Sequence, residues 1–316
     1  MRAMVYRGYG GPLELAELPE PVPGPGQLQL RVRATAVNPV DWKRATGKLR
    51  MLMPVRFPCV PGFDVAGVVS ALGPGVTGFA LGDRVHARLR DHEGGGAAEL
   101  TNASAEVTAR IPDGMGFAEA AGLPLAGMTA LQGLRDQLLL PMAGATARVL
   151  VVGASGGVGH LAVQLARAAG ATVAGVCSTR NVELVRSLGA HEVIDYTAAD
   201  PYRGVAPFDL VLDCVGGPPS AWTHLLVSGG RYASTMPGPS VFLRQLANPL
   251  TSRVVRPVLL KSTAADLQLL DERVAEGSLR VVIDQRYPLE RLSEAWDRSK
   301  SGRAAGKIVI ELGADH

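Results

Sequence analysis

The first 120 residues alternate apolar and polar positions in short runs, with Gly or Pro between the runs. In 27–37, Leu28, Leu30, Val32 and Ala34 fall on one side of an extended chain, the period of a strand with one buried face. Similar runs predict strands over 1–7, 13–18, 64–72, 83–89, 96–101 and 107–111. Turn signals such as Pro23-Gly24-Pro25-Gly26 and Gly73-Pro74-Gly75 punctuate them. Short strands spaced in this way suit an antiparallel, partly open barrel.

From about residue 120 the period changes. Residues 148–153 (RVLVVG) form a continuous apolar run, as in a strand buried on both faces. Val158, Leu161, Ala162, Leu165 and Ala169 then recur at helical spacing, and Gly170 stands at the stop. Strands over 172–177, 192–196, 208–215 and 230–234, with helices over 182–188 and 220–226, continue the series. They read as parallel βαβ units of a doubly wound α/β sheet. The stretch 237–248 reads as a Gly/Pro-punctuated loop, and 254–261 as the last strand of that sheet. Thr263-Ala-Ala-Asp266, a capping-box variant, opens a helix ending near Gly277. A strand over 279–287, a helix over 290–299 and a strand over 307–312 close the chain. The last strand and its helix are expected to return to the first domain. The expected boundaries are therefore 1–121 with 279–316 for the barrel-like domain, and 122–278 for the doubly wound one.

Composition narrows the classes. Of 316 residues, 47% are hydrophobic and 19% charged, enough apolar material for two cores and too much for disorder. Lys+Arg 32 and Asp+Glu 29 are interspersed without a basic block, which excludes a dedicated nucleic-acid binder. Cys59, Cys177 and Cys214 make neither a disulfide framework nor a Cys-x-x-Cys pair, so reduced thiols are expected. No apolar run reaches the roughly 18–20 residues that span a bilayer, and the N-terminus lacks a signal-peptide core. A cytoplasmic protein with a small-molecule partner, and with no membrane or nucleic-acid partner, is the expectation.

Gly153-Ala154-Ser155-Gly156-Gly157-Val158-Gly159 lies between the buried strand and the amphipathic helix. Small residues there let backbone N–H groups approach a pyrophosphate, with a helix N-terminus facing the anion. Ala154 replaces the first Gly of the usual fingerprint, while Gly156 and Gly159 keep the later ones. In its βαβ setting the turn predicts dinucleotide binding, with Ser155, Gly156, Gly157, Val158 and Gly159 as the contact residues. About twenty residues on, where an acidic residue would select NAD, the chain reads Ser178-Thr179-Arg180-Asn181. Two hydroxyls and a guanidinium suit a 2′-phosphate, so NADPH is the expected cofactor. A solvated Arg180 beside an N-capping Asn181 is the alternative. Tyr196 either flanks the same phosphate or the adenine, or packs in the core.

The chain resembles the medium-chain dehydrogenase/reductase superfamily, and within it the zinc-free quinone oxidoreductase-like enone reductases. The resemblance runs nearly end to end. It rests on AVNPVDWKRATG (36–47), FPCVPGFDVAGVV (57–69), GDRV (82–85), LPLAGMTALQGL (123–134), GASGGVG (153–159), VRSLGAHEVIDY (185–196), FDLVLDCVG (208–216) and GKIVIEL (306–312). It implies a GroES-like, mainly antiparallel β barrel-like catalytic domain beside a Rossmann domain. Zinc-dependent members hold a metal with a Cys in the first segment and a His in a Gly-His-Glu triplet. Here those positions resemble Asn38 and Phe63, neither a plausible zinc ligand. Cys59, His86 and His92 have no metal-motif spacing, so no metal is expected.

The resemblance also implies that Asn38 stands beside the nicotinamide and ribose. Asn38, Asp41 and Lys43 are the candidate catalytic residues, with Lys43 placed to stabilise an enolate oxygen or supply a proton. An exposed Lys on a helical turn is the alternative for Lys43. Thr129, Val215 and Ser234 are carried over by the same resemblance as further cofactor contacts. The implied activity is NADPH-dependent reduction of quinones or of the C=C bond of α,β-unsaturated carbonyls. A non-redox cyclase on the same fold and a non-enzymatic NADPH-binding protein are the alternatives. Many relatives pair through the last Rossmann strand, so a homodimer is possible on this reading, although Pro257 removes one ladder donor from that segment.

Overall fold

The computed structural model describes residues 1–90, 95–199 and 201–313; His92 lies outside the described residues. The chain forms two compact units. The first holds residues 1–125, 262–276 and 281 onward, and the second holds 126–261 with 277–280.

The first unit begins with β1 (Arg2–Val5), β2 (Glu14–Glu17), β3 (Gln27–Val37), α1 (Pro39–Ala45), β4 (Asp64–Leu72), β5 (Arg84–Arg88), β6 (Leu100–Ser104), β7 (Thr108–Arg110) and α2 (Phe117–Gly122). The helix α3 (Pro124–Gln132) starts at the boundary. The second unit follows with β8 (Arg148–Val152), α4 (Gly159–Ala168), β9 (Thr172–Cys177), α5 (Val182–Ser187), β10 (Glu192–Asp195), β11 (Phe208–Asp213), α6 (Ser220–Thr223), β12 (Leu226–Ser234), α7 (Pro239–Leu246) and β13 (Val254–Pro257). The chain then re-enters the first unit through α8 (Ala264–Ala275), β14 (Ile283–Pro288), α9 (Leu292–Lys300) and β15 (Lys307–Glu311).

In the first unit the sheet order is β14-β15-β3-β4-β5-β7, with β6 also on β3. All of these pairings are antiparallel except β14 with β15. The long strand β3 is the hub, and its residues Leu28, Leu30, Val32 and Ala34 are buried as their alternation predicts. One core cluster joins Leu28, Leu30, Val65, Val85 and Leu89, and a second joins Tyr6, Val32, Trp296 and Ile310.

The second unit is a six-stranded parallel sheet of order β10-β9-β8-β11-β12-β13. This is the doubly wound Rossmann arrangement, with its switch point between β8 and β11. Val152, Val176, Phe208 and Tyr232 fill its core.

Several local readings change, and the strand expected over 279–287 begins only at Ile283. The strand expected over 96–101 begins only at Leu100, because the Gly95 and Gly96 N–H groups turn back to Gly62 O. The loop expected over 237–248 contains α7, since Pro239 sits in the first helical turn where its fixed φ suits a helix. The strand expected over 254–261 ends at Pro257, with Val258 N–H still donating to Ser234 O at 2.8 Å. The helix opened by Thr263, whose Oγ1 accepts from Asp266 N at 3.1 Å, groups with the first unit rather than with 122–278. There Asp271 on α8 meets the buried His86 of β5 at 3.0 Å.

Candidate active site

Residues 153–159 form a tight turn between β8 and α4. Gly153 has φ +73° and Gly156 N–H donates to Gly153 O at 2.9 Å. A Cβ on Gly159 would lie 2.1 Å from that same oxygen and 2.9 Å from Ala154 Cα, so only Gly lets the helix start this close to the strand. The buried Ala154 ties the turn to β9 through N–H to Val176 O at 2.9 Å. Ser155 Oγ accepts from Asn181 Nδ2 at 2.8 Å, which anchors the turn to the end of β9. Asn181 therefore spends its side chain on Ser155 rather than on capping α5. Gly156, Gly157 and Val158 are half-buried at the mouth of the turn. At the start of α4, His160 N–H and Leu161 N–H already donate to Gly156 O and Val158 O at 3.1 Å, so an anion would meet the N–H groups ahead of them, at the positive end of the helix dipole. This backbone cradle, closed to any Cβ at Gly159, fits the diphosphate of a dinucleotide.

The rim of that turn is more acidic than the sequence suggests. Thr179 Oγ1 donates to Asp195 Oδ2 at 2.6 Å and lies 2.8 Å from Thr197 Oγ1. Parallel pairing of β10 with β9 sets Asp195 opposite Cys177, which is how a residue sixteen positions away arrives here. The hydroxyls of Thr179 and Thr197 hold the Asp195 carboxyl below its ordinary range. Ser178 is half-buried, while Arg180 and Tyr196 are exposed; burial in the core is therefore not the role of Tyr196.

Thr129 is buried on α3, Val215 is exposed, and Ser234 is fully buried with its Oγ accepting from Met236 N at 3.3 Å. The Ser234 hydroxyl holds the chain end of β12 from inside. Sequence reasoning missed Asp213 beside these. Its Oδ1 accepts from the N–H groups of Val215 (2.9 Å) and Gly216 (3.0 Å), and its Oδ2 from Tyr232 OH (2.6 Å). An Asp at the C-terminal end of a buried strand, three residues before Gly216-Gly217, was the available signal.

A second polar group lies in the first unit. Antiparallel pairing sets Ile308 opposite Val37 and Ala36 opposite Asp64. β15 and β4 therefore bring Lys307 and Asp64 to the level at which β3 ends, one residue before Asn38. Lys307 Nζ lies 2.6 Å from Asn38 Oδ1 and 3.5 Å from Asp64 Oδ2, and Asn38 Nδ2 donates to Asp64 Oδ2 at 2.9 Å. Asp64 Oδ1 accepts from Leu125 N at 3.0 Å. All three side chains are buried. Burial pushes the Asp64 carboxyl above its ordinary range, against the pull of Lys307 and the bonds from Asn38 and Leu125.

Asn38 is the N-cap residue of α1, and its backbone N–H donates to Asp41 Oδ2 at 2.6 Å. Asp41 Oδ1 is buried with no hydrogen-bond partner. It borders a cavity of about 10 Å³ together with Thr35, Gly62 and Trp296, roughly room for one water. Burial, with the Asp64 charge adding to it, raises the Asp41 carboxyl to about 7, although the Asn38 N–H, Lys307 and Arg88 oppose the rise. Asp41 thus faces the helix start and the interior.

Lys43 on α1 is half-buried, with its ammonium 5.5 Å from the Trp42 ring centroid. Burial, and secondarily Lys48, lowers its pKa. Phe63 is buried, with the guanidinium groups of Arg44 and Arg88 at 5.5 and 5.2 Å from its ring. Among the described residues no group of three or more His, Cys, Asp or Glu is arranged to hold a metal ion. Asp64 and Lys307 were within reach of sequence reasoning only as a charge at the head of each of two mainly apolar strands.

Residues 24–132 match the alcohol dehydrogenase GroES-like domain, and residues 188–310 match the zinc-binding dehydrogenase family. Over 323 residues the chain is 41% identical to the chloroplast envelope quinone oxidoreductase homolog of Arabidopsis thaliana, with 98% of each chain covered. It is 34% identical to the chloroplastic NADPH-dependent alkenal/one oxidoreductase of the same plant, covering 98% of this chain and 79% of that one. The solved quinone oxidoreductase of Coxiella burnetii superposes with a TM-score of 0.88 at 30% identity, covering 99% of each chain. A doubly wound unit with a dinucleotide turn, a β-rich unit that matches the GroES-like model and these relatives lead to one assignment: the chain is an oxidoreductase that belongs to the medium-chain dehydrogenase/reductase superfamily, in its quinone oxidoreductase-like branch.

Proposed function

We infer that the protein reduces quinones or the C=C bond of α,β-unsaturated carbonyl compounds with NADPH and without zinc. The observation that carries this reading is a pairing of two features. A Gly153–Gly159 turn fits a dinucleotide diphosphate, while Asn38 and Phe63 stand where the zinc-dependent members of the family have ligands. The Asn38 amide is taken up by Lys307, Asp64 and the Ala36 carbonyl, and Phe63 is an apolar ring between two guanidinium groups. The names of the quinone and alkenal/one oxidoreductase relatives support the same substrate classes.

When bound, the nicotinamide supplies a hydride to the acceptor. The chain's own work is binding, orientation and proton supply. The N–H groups of the turn that leads into α4 receive the diphosphate. With the Thr179 hydroxyl committed to Asp195, recognition of a 2′-phosphate falls on Ser178, Arg180 and Tyr196. Lys43, whose ammonium loses its proton more readily than an exposed lysine, supplies the proton or stabilises the oxygen that gains charge. Enones need that help more than quinones do. A homodimer formed at the β13 edge of the parallel sheet belongs to the same reading.

The test is NADPH oxidation followed at 340 nm with a panel of small quinones and enones, with zinc measured by elemental analysis of the same sample. Turnover at well under one zinc per chain, and unaffected by chelators, is the expected result. Stoichiometric zinc whose removal abolishes turnover overturns the reading. So does tight NADPH binding with no turnover on either acceptor class.

A further inference from the structure

Lys307 has no role in the mechanism above, yet it is a buried cation, 3% exposed, at the head of an apolar strand. An ammonium only donates hydrogen bonds, so the atom 2.6 Å away must be the Asn38 carboxamide oxygen. The amide orientation is thereby fixed by chemistry. Both amide hydrogens are then used within the chain, toward Asp64 Oδ2 at 2.9 Å and Ala36 O at 3.3 Å. A reversed amide would set its NH₂ against the Lys307 ammonium and its oxygen against the Asp64 carboxylate. The Asn38 side chain therefore has no donor left with which to polarise a carbonyl.

We propose that Lys307, with Asp64 as its counter-charge, is a positioning residue for the redox reaction, acting through the Asn38 amide. The inference rests on the reading above, in which Asn38 belongs to the reacting end. It also gives the return of the C-terminal strand a functional meaning. Lys307 lies 269 positions from Asn38 and reaches it only because β15 docks on β3. A buried ion pair holds its partners with little freedom, and misplacement of a positioning group by about 1 Å can cost about 10²-fold in rate.

The test uses two variants. Lys307→Met alone leaves Asp64 buried without its cation and is open to misfolding. Lys307→Met combined with Asp64→Asn removes both charges at nearly constant volume. It should fold, melt near the unmutated temperature and bind NADPH with unchanged Kd by fluorescence titration. Its kcat with a quinone should fall about 10²-fold while KM for NADPH stays level. A doubly substituted protein with the unmutated kcat overturns the proposal.

Should that variant not fold, the unmutated protein answers. Its Asn38 carboxamide protons, assigned in ¹⁵N spectra by their loss in Asn38→Asp, should form two resolved signals that exchange slowly with solvent. Averaged or freely exchanging signals overturn the proposal. The spectra need no substrate. If the unmutated protein oxidises no NADPH with any acceptor, the quinone/enone reading fails while exchange still reports whether the Asn38 amide is held.

Discussion

Asp41→Asn should make the protein more resistant to unfolding at pH 8 and leave it little changed in acid. The buried Asp41 carboxyl titrates near 7 in the folded chain against 3.8 as its ordinary value, burial being the main cause. Below about 3.8 both states carry the proton, and above about 7 neither does. Between these limits the folded chain binds more protons than the unfolded one, so stability falls as pH rises through the window. The slope is about 1.4 kcal/mol per pH unit, or about 4 kcal/mol across the whole range. Asn keeps an oxygen for the Asn38 N–H, puts an amide where Oδ1 lacks a partner, and cannot ionise. The difference between variant and unmutated protein should therefore grow by about 3 kcal/mol between pH 5 and pH 8. Urea unfolding of both proteins at pH 5, 6, 7 and 8, followed by far-UV circular dichroism, measures it. Taking the difference cancels every other titrating group. A difference that stays constant with pH refutes the reasoning, because it means that Asp41 is ionised throughout. Lys307 and Arg88 outweighing burial would give that same constant difference, since the carboxyl would then titrate below pH 5.

Gly159→Ala should abolish NADPH binding in a fluorescence titration and cost about 1–3 kcal/mol in thermal unfolding, since its Cβ would meet backbone atoms that cannot swing away. Arg180→Ala should weaken NADPH about ten- to a hundredfold and leave NADH nearly unchanged, while Asp195→Asn should strengthen NADPH a few-fold by removing a carboxylate from the same rim. Equal effects on both cofactors refute the 2′-phosphate assignment. Lys43→Met should slow enone reduction about 10²–10³-fold and quinone reduction much less; unchanged enone rates make Lys43 a packing residue on Trp42. Asp271→Ala should lower stability by about 1–3 kcal/mol, read from the melting transition, because it leaves the buried Nε2 of His86 without its partner.

Short-range features of this protein were legible in the residues alone. The alternation in β3, the apolar run of β8, the helical spacing of α4 and the Thr263 cap depend on neighbours within one turn or one pleat, so sequence order carries them. The Gly153–Gly159 turn is equally local, since the Cβ that Gly159 excludes would strike an oxygen only six residues back. Where a local rule had two outcomes, the sequence could not choose between them. Pro239 opens a helix as readily as it breaks one, and the burial of Val241 decided for the helix. The polar geometry belongs wholly to tertiary structure. Asp195 reaches Thr179 through the register of two parallel strands, and α8 joins the first unit through Asp271 and His86. Lys307, Asn38 and Asp64 meet only because three strands far apart in the chain are laid side by side in one register. A one-residue slip of β15 or β4 would turn Lys307 or Asp64 to the opposite face of the sheet. Local period says which face a residue takes, and only the packed sheet says what waits for it there.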